Sequence, residues 1–572
     1  MKHSKLYIEL ASLVDYIRQI PSTILLTLYT VLVLLVPNAL LCHTEQYTLL
    51  DCFVNIILPV GIYLGIISLS RKTGTMILWL LPFFILAAFQ IVLLYLYGES
   101  IIAVDMYINV LTTNPGEATE LLANLGPAII FVIVLYIPAL IWAIVLVCKH
   151  KRMISPWFGG LRVLAVLTLS SGIILAEIDY WKDPSYRPHI KTFPINVCYN
   201  IGLAIDHTAT SAHHEETSCD FTYEAQSIHP TDTAEVYVLV IGETGRALNW
   251  QLGGYNRPTN PRLSVRDSVH FYSHAISESN ITHKSVPLLL TSLTAENFDS
   301  LRFQKSIVTA FKEAGFHTAF ISNQAPNRSY TEHFSHEADT TLYIQNTPTG
   351  HQYDSELLKY VSEILADSVT KQFIVLHSYG SHFKYQERYP EEFGKFHPDD
   401  CNSATYANRE KLINAYDNTI LYTDAWLDDL IELLSSTRKV SGMIYVSDHG
   451  EDIMDDDRKR FLHASPTPTF YQLNVGMLSW VSPEFTNLYQ SKSEALHSNA
   501  ERTVNSSAST FHTILDMAGI ETPYFDRTLS LASPEYTPAH LYYLNDHNKP
   551  VALDKSGLKE HDLSLLAPHL NR

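Results

Sequence analysis

Two short apolar runs each end in residues able to hold a metal. The run 236–241 leads into Gly242-Glu243-Thr244-Gly245-Arg246, and the run 442–446 leads into Ser447-Asp448-His449-Gly450-Glu451. Each run reads as a buried strand, and open α/β sheets build their sites at the carboxyl ends of strands. Glu243, Asp448 and His449 offer two carboxylates and an imidazole, a set that suits zinc, with manganese second. A catalytic ion also needs an open position or a nucleophile. Segment 277–290 turns from polar to apolar and helical, which puts Thr282 at a helix start. Free N–H groups and the positive dipole end there suit a phosphate. A metal-bound hydroxyl loses its proton readily, so Thr282 is the candidate covalent nucleophile.

Plainer roles compete for the same residues. Thr282 alone would be an ordinary N-cap. Arg246 can pair with a phosphate or with a nearby carboxylate. Lys284 can meet a phosphate or lie solvated on its helix, and Arg388 reads as holding a turn before Pro390. The 455–457 aspartate run lacks the alternating spacing of a calcium loop and reads as solvated. His213-His214 reads as a solvated loop before a metal tract.

The elements that must carry these residues follow from the pattern. Strands are expected at 236–241, 317–322, 373–376, 442–446 and 477–480, and helices at 306–314, 354–367, 411–435 and 507–518. Continuous apolar strands spaced by helices indicate a mostly parallel sheet covered on both faces. The α/β domain is therefore expected over 234–572, preceded by a linker over 179–233 with no sustained period.

Residues 1–178 are different. Apolar runs at 20–42, 49–70, 75–97, 126–148 and 160–178 each approach the roughly 20 residues a helix needs to cross a bilayer. Interior prolines Pro59, Pro82 and Pro138 are tolerable where neighbouring helices cover the freed carbonyls. An all-α membrane domain of five helices is expected, its first run retained as an anchor. Lys2, Lys5 and Arg18, then Arg71 and Lys72, then Lys149, Lys151 and Arg152 mark the cytoplasmic side. Glu45, Asp51, Glu99, Asp105, Glu117 and Glu120 fall in the alternate loops. Everything after 178 is then exported.

The 572 residues carry a formal net charge of −19, which argues against nucleic acid as a partner. Six cysteines are too few for a disulfide scaffold. Cys198 and Cys219 can pair in an exported domain, an option left open here.

Further motifs join the set: Gly254-Tyr255-Asn256-Arg257 with Asn260-Pro261, Thr282 with Ser285-Val286-Pro287, Gly380-Ser381-His382 and Arg388-Tyr389-Pro390. Taken with the two strand-end motifs, the order resembles the phosphoethanolamine transferases of the alkaline-phosphatase/sulfatase superfamily, which include enzymes that modify lipid A and confer polymyxin resistance. The resemblance covers almost the whole chain, five membrane helices included. It implies a sulfatase-like catalytic domain in the periplasm of a multi-pass inner-membrane protein, and a monomer. It implies that Thr282 accepts phosphoethanolamine from phosphatidylethanolamine, that Glu243, Thr282, Asp448 and His449 hold zinc, and that a lipid A-type glycolipid is the acceptor. His382 and His463 resemble family histidines that bind substrate phosphate or a second zinc. Asn109, Thr113 and Glu117 resemble a triplet that meets the donor head group, and their i, i+4, i+8 spacing would align them on one helical face. The cysteines that bracket the nucleophile in many lipid A enzymes are missing, with Glu278 and Leu288 near those places, and Gly245 replaces a commoner small residue. A phosphoglycerol transferase is the alternative. A sulfatase would need Arg where Leu289 follows Ser285-Val286-Pro287, and a non-enzymatic sensor would have no need of the intact ligand set.

Overall fold

In the computed structural model, the described residues are 20–570 apart from 46, 99, 113–124, 183–186, 347–352, 368 and 402–404. They fall into two compact units. One runs to Val104 and resumes over Leu125–Leu203; the other takes the segment that begins at Asp105 together with the chain from Ala204 onward.

Among the described residues of the first unit, four helices are long and apolar enough to cross a membrane: Ser22–Thr44, Leu49–Ile67, Gly126–Cys148 and Ser155–Lys182. The outward faces of the last two carry Ile130, Val134, Val163 and Leu167, all more than half exposed. Such a continuous apolar surface suits lipid rather than water. The expected third run is broken into Thr73–Leu78 and Leu81–Tyr97. Pro82 is the reason. It sits in the first turn of the second piece, where its missing N–H is tolerated, instead of inside one long helix. Pro59 and Pro138 do lie within helices, as expected.

The 179–233 segment holds more structure than its composition suggests. The helix Ser155–Lys182 runs into it, and Pro188–Lys191, Ile195–Ala212 and His214–Thr217 follow as helices. His214 is buried, its ring edge-on to Tyr330 and Phe334, so it is a core residue and not a solvated one. All six cysteines are free in this structure.

The second unit is built on a seven-stranded sheet. Its strands are β1 (Glu235–Gly242), β2 (Val269–Phe271), β3 (His317–Ser322), β4 (Thr340–Tyr343), β5 (Lys371–His377), β6 (Val440–Ser447) and β7 (Met477–Val481), in the order β2-β7-β6-β1-β5-β3-β4. The five strands from β6 to β4 are parallel, while β7 runs antiparallel to both β6 and β2. The sheet is thus mixed at one edge. Every residue of β1 is buried. Tyr237, Leu239 and Ile241 enter one core, and Val236, Val238 and Val240 the other, so both faces are covered.

Four helices matter for the site. α1 (Val104–Thr112) belongs to the second unit from Asp105 onward. α2 (Thr282–Leu289) buries Val286, Leu288 and Leu289 against Phe511 and Ile514 of α4 (Ser506–Met517). On the other face, α3 (Arg409–Ser436) buries Tyr416, Ile420 and Leu427.

Candidate active site

β1 and β6 are neighbours in register, with Gly242 beside Ser447. Their carboxyl ends therefore deliver Glu243 and Asp448-His449 side by side. Thr244, next in line, has φ 63°, a left-handed conformation that a β-branched residue rarely adopts. It is held there: its N–H donates to Asp448 Oδ1 (3.1 Å), and its carbonyl accepts from the Tyr416 hydroxyl (2.6 Å). Strain stored next to a ligand is characteristic of functional sites.

The donor atoms of Glu243, Asp448 and His449 lie within 4.8 Å of one another. His449 Nδ1 is 3.0 Å from the Gly450 carbonyl, which can only accept, so that nitrogen carries the proton. Nε2 is then a bare lone pair. It faces Asp448 Oδ2 at 3.2 Å and Glu243 Oε1 at 3.4 Å. Asp448 Oδ2 is buried and lacks a hydrogen-bond partner among the described residues. Three such groups converging at these distances fit a cation. Burial, and then the Glu243 charge, push the Asp448 carboxyl well above its usual range. A bound divalent ion would remove that conflict. The residues present fit zinc: oxygen and nitrogen donors, with the imidazole held neutral because burial pushes His449 down to about 3.

Thr282 begins α2, with the extended Ile281 as its cap. Its Oγ1 lies 3.3 Å from Glu243 Oε2 and 3.2 Å from His449 Nε2. The structure thus brings Thr282 to all three expected ligands' cluster.

His382 and His463 arrive from loops. Glu243, His382 and His463 form a second group whose donor atoms lie within 4.8 Å. The His463 ring lies 4.1 Å from that of His449 and 5.9 Å from that of His382. Burial pushes His463 down to about 4. Its Nδ1 is 2.9 Å from Glu451 Oε2, which orients it. Gly380 makes the approach of the His382 loop possible. It has φ 53°, and a Cβ there would stand 2.5 Å from the Glu243 carbonyl oxygen.

Two residues escape a reading of the sequence. Gln324, two residues beyond β3, donates from Nε2 to Glu243 Oε2 (3.0 Å) and to the Ser378 carbonyl (3.1 Å). Its signal would have been its place after a third parallel strand. Glu451 sits in a motif already singled out, and its Oε2 lies 2.9 Å from His463 Nδ1.

Other expectations resolve differently. Arg246 is buried and bonded to Asp455 Oδ2 (2.8 Å), the Glu451 carbonyl (3.0 Å) and Asn249 Oδ1 (2.6 Å), so its charge is used within the protein. Asp455 and Asp456 are ion-paired, to Arg246 and Arg458, and are not a free solvated run. Arg388 does hold its turn, donating to the carbonyls of His382 and Phe383. Lys284 is neither solvated nor turned to an open phosphate site: it is buried against Asp105. Asn109 lies on α1, half-buried; Thr113 and Glu117 fall outside the described residues.

A profile of the sulfatase family matches residues 235–520, half of the chain, and that span contains every residue of the cluster. The chain belongs to the sulfatase family. Within the superfamily, its similarity is to phosphoethanolamine transferases. Phosphoethanolamine transferase EptA of Salmonella typhimurium is 31% identical over 316 residues, 53% of this chain and 56% of that protein. The chain therefore aligns with little more than half the length of that curated relative. Among solved structures, the C-terminal periplasmic domain of EptC from Escherichia coli, in complex with Zn, matches with a TM-score of 0.53 at 26% identity, covering 60% of this chain and 98% of that one. The integral membrane protein lipooligosaccharide phosphoethanolamine transferase A (EptA) from Neisseria meningitidis matches with a TM-score of 0.71 at 22% identity, covering 89% and 97%. This last likeness shows a shared fold, membrane helices included. The chain is a membrane protein with a sulfatase-like α/β unit at its carboxyl end.

Proposed function

We propose that this protein is a zinc-dependent phosphoethanolamine transferase, with Thr282 as nucleophile. The donor is phosphatidylethanolamine and the acceptor a lipid A-type glycolipid at the outer face of a bacterial inner membrane. The observation that carries the reading is the position of Thr282 Oγ1, within 3.3 Å of both Glu243 and His449 at the mouth of three convergent acceptors. The names of the relatives support the transferred group, and the zinc complex of the EptC domain supports the metal.

Glu243, Asp448, His449 and Thr282 would hold the ion. When bound, zinc supplies positive charge that favours the alkoxide of Thr282 and offsets charge on the phosphoryl group. In the first step, a bond forms between Thr282 Oγ1 and phosphorus as the bond from phosphorus to the diacylglycerol oxygen breaks. Thr282 gives up one proton and diacylglycerol takes one up, so the step is proton-neutral. In the second step, a phosphate or hydroxyl oxygen of the glycolipid attacks the same phosphorus as its bond to Thr282 Oγ1 breaks, and the proton given up by the acceptor oxygen returns Thr282 to its hydroxyl form. His382 and His463 would meet phosphoryl oxygens, with Glu451 orienting His463. Asn109, Thr113 and Glu117 would meet the donor head group. Tethering donor, acceptor and enzyme to one membrane replaces a search through water with an encounter in the bilayer.

The test supplies the full-length protein with head-group-labelled phosphatidylethanolamine or phosphatidylglycerol and an extracted glycolipid. Transfer of ethanolamine phosphate supports the reading. Transfer of glycerol phosphate instead would replace it with the phosphoglycerol alternative.

A further inference from the structure

The residues after Thr282 make contacts that the chemistry at the cluster does not use. Lys284 is buried, and its Nζ donates to Asp105 Oδ2 (2.7 Å) and to the Asn545 carbonyl (2.7 Å). His283 Nε2 is 3.1 Å from Asp105 Oδ1 and donates to it. Both carboxylate oxygens of Asp105 are therefore taken by successive residues of the first turn of α2. Asp105 itself lies in the first turn of α1, four residues before Asn109. The two helices also share a cavity, lined by Ile108 of α1, His283 and Lys284 of α2, and His207 and Tyr330.

The described part of α1, nine residues, is marginal by itself. Its place must come from tertiary contacts. A buried ion pair is a poor source of net stability, because desolvation offsets the attraction; its better-attested use is to fix register. The pair is fully engaged: burial raises the Asp105 pKa, yet the Lys284 charge and the His283 and Lys284 hydrogen bonds bring it net below the usual carboxylate range.

We propose that Asp105, clamped by Lys284 and His283, positions α1 against the nucleophile helix so that the lipid donor is presented to Thr282. These are positioning residues and need touch neither donor nor ion. The assignment rests on the transferase reading above, and gives a physical role to the Asp105–Asn109 segment within it. Losing the clamp should spare the cluster but misplace the donor. Misplacement by about an ångström is worth up to about a hundredfold in rate.

The experiment uses the zinc-loaded full chain in lipid nanodiscs and two substrates. One is labelled phosphatidylethanolamine; the other is bis(4-nitrophenyl) phosphate, a small soluble diester that has no need of α1. Lys284→Met is expected to lower kcat/KM for the lipid by roughly tenfold or more, mainly through KM, with small-diester turnover and zinc content within about twofold of wild type. Lys284→Arg, which keeps the charge, should restore most of the loss. Asp105→Asn/Lys284→Met leaves no lone charge between these two side chains, which guards against simple misfolding of the single variant, and should also show the raised lipid KM. A parallel fall on both substrates, or an unchanged lipid KM in a folded variant, overturns the assignment. A wild-type protein that cleaves the small diester but moves no ethanolamine phosphate sinks the transferase reading, and this assignment with it; one that transfers normally while Lys284→Met keeps its lipid KM sinks the assignment alone.

Discussion

Glu243 is held from two sides, by the Thr244 hydroxyl at 2.7 Å on Oε1 and by Gln324 at 3.0 Å on Oε2. Such supporting hydrogen bonds orient a ligand, and removing one typically lowers metal affinity about 10- to 100-fold. Gln324→Ala is expected to fall in that range, measured by competition with a zinc chelator. An unchanged affinity would remove Gln324 from the site. Buried carboxyls elsewhere set the response to pH. Burial raises Glu278, Glu337 and Asp452 to about 7 from ordinary values of 4.5, 4.5 and 3.8. Between those limits the folded state binds protons that the unfolded chain has released. Stability from these groups is therefore present at low pH and lost as pH rises toward 7. The thermal midpoint should fall across that window, and Glu278→Gln should make the fall shallower; an equal slope would show that Glu278 does not titrate there. The residues of the cluster themselves were readable in the sequence, because acid and imidazole groups at strand ends have few other uses. Gln324 and Glu451 were not, since a residue that only braces a ligand needs no special spacing. Nor were the partners of Arg246 and Lys284, which are set by contacts 209 and 179 positions away in the chain.

Strand ends bring the cluster together, and loops complete it. Gly380 is the tightest point, where the His382 loop crosses the Glu243 backbone. Gly380→Ala adds a Cβ against main chain that cannot give way and forces a left-handed φ on alanine. It is expected to destabilise the domain by about 1–3 kcal/mol and to weaken zinc binding together with it. Denaturant unfolding with and without zinc checks both; wild-type behaviour in each would show that the loop has slack. The long elements were legible for clear reasons. Helices expected at 411–435 and 507–518 are found as Arg409–Ser436 and Ser506–Met517, because their apolar faces and the Asn505 cap are strong signals. The strands β2 and β4 were missed: they are three and four residues long and only partly buried, so they carry no continuous apolar run. The antiparallel direction of β7 was also illegible, since Met477–Val481 is buried throughout and reads the same either way. Pro82 misled in the membrane half, where mean hydropathy hides a break that one missing N–H creates.

The chain joins a lipid-facing unit to one whose core is as buried as that of a soluble enzyme. The apolar outer faces of Gly126–Cys148 and Ser155–Lys182 should keep the protein in the membrane pellet through an alkaline carbonate wash and release it only in detergent; recovery in the wash would contradict a spanning protein. The two-part organisation was plain from composition, whereas the membership of the Asp105 segment in the second unit was not, because its partners, His283 and Lys284 among them, lie far along the chain. The central claim is that a threonine oxygen carries the lipid's head group between two membrane substrates. It is tested most directly by incubating the zinc-loaded protein with phosphatidylethanolamine and no acceptor, quenching in acid, and mapping the adduct by peptide mass spectrometry. The account predicts one phosphoethanolamine group on Thr282, absent from Thr282→Ala and discharged when glycolipid is added. Turnover that continues with Thr282 unmodified, or an adduct on a different residue, would contradict it.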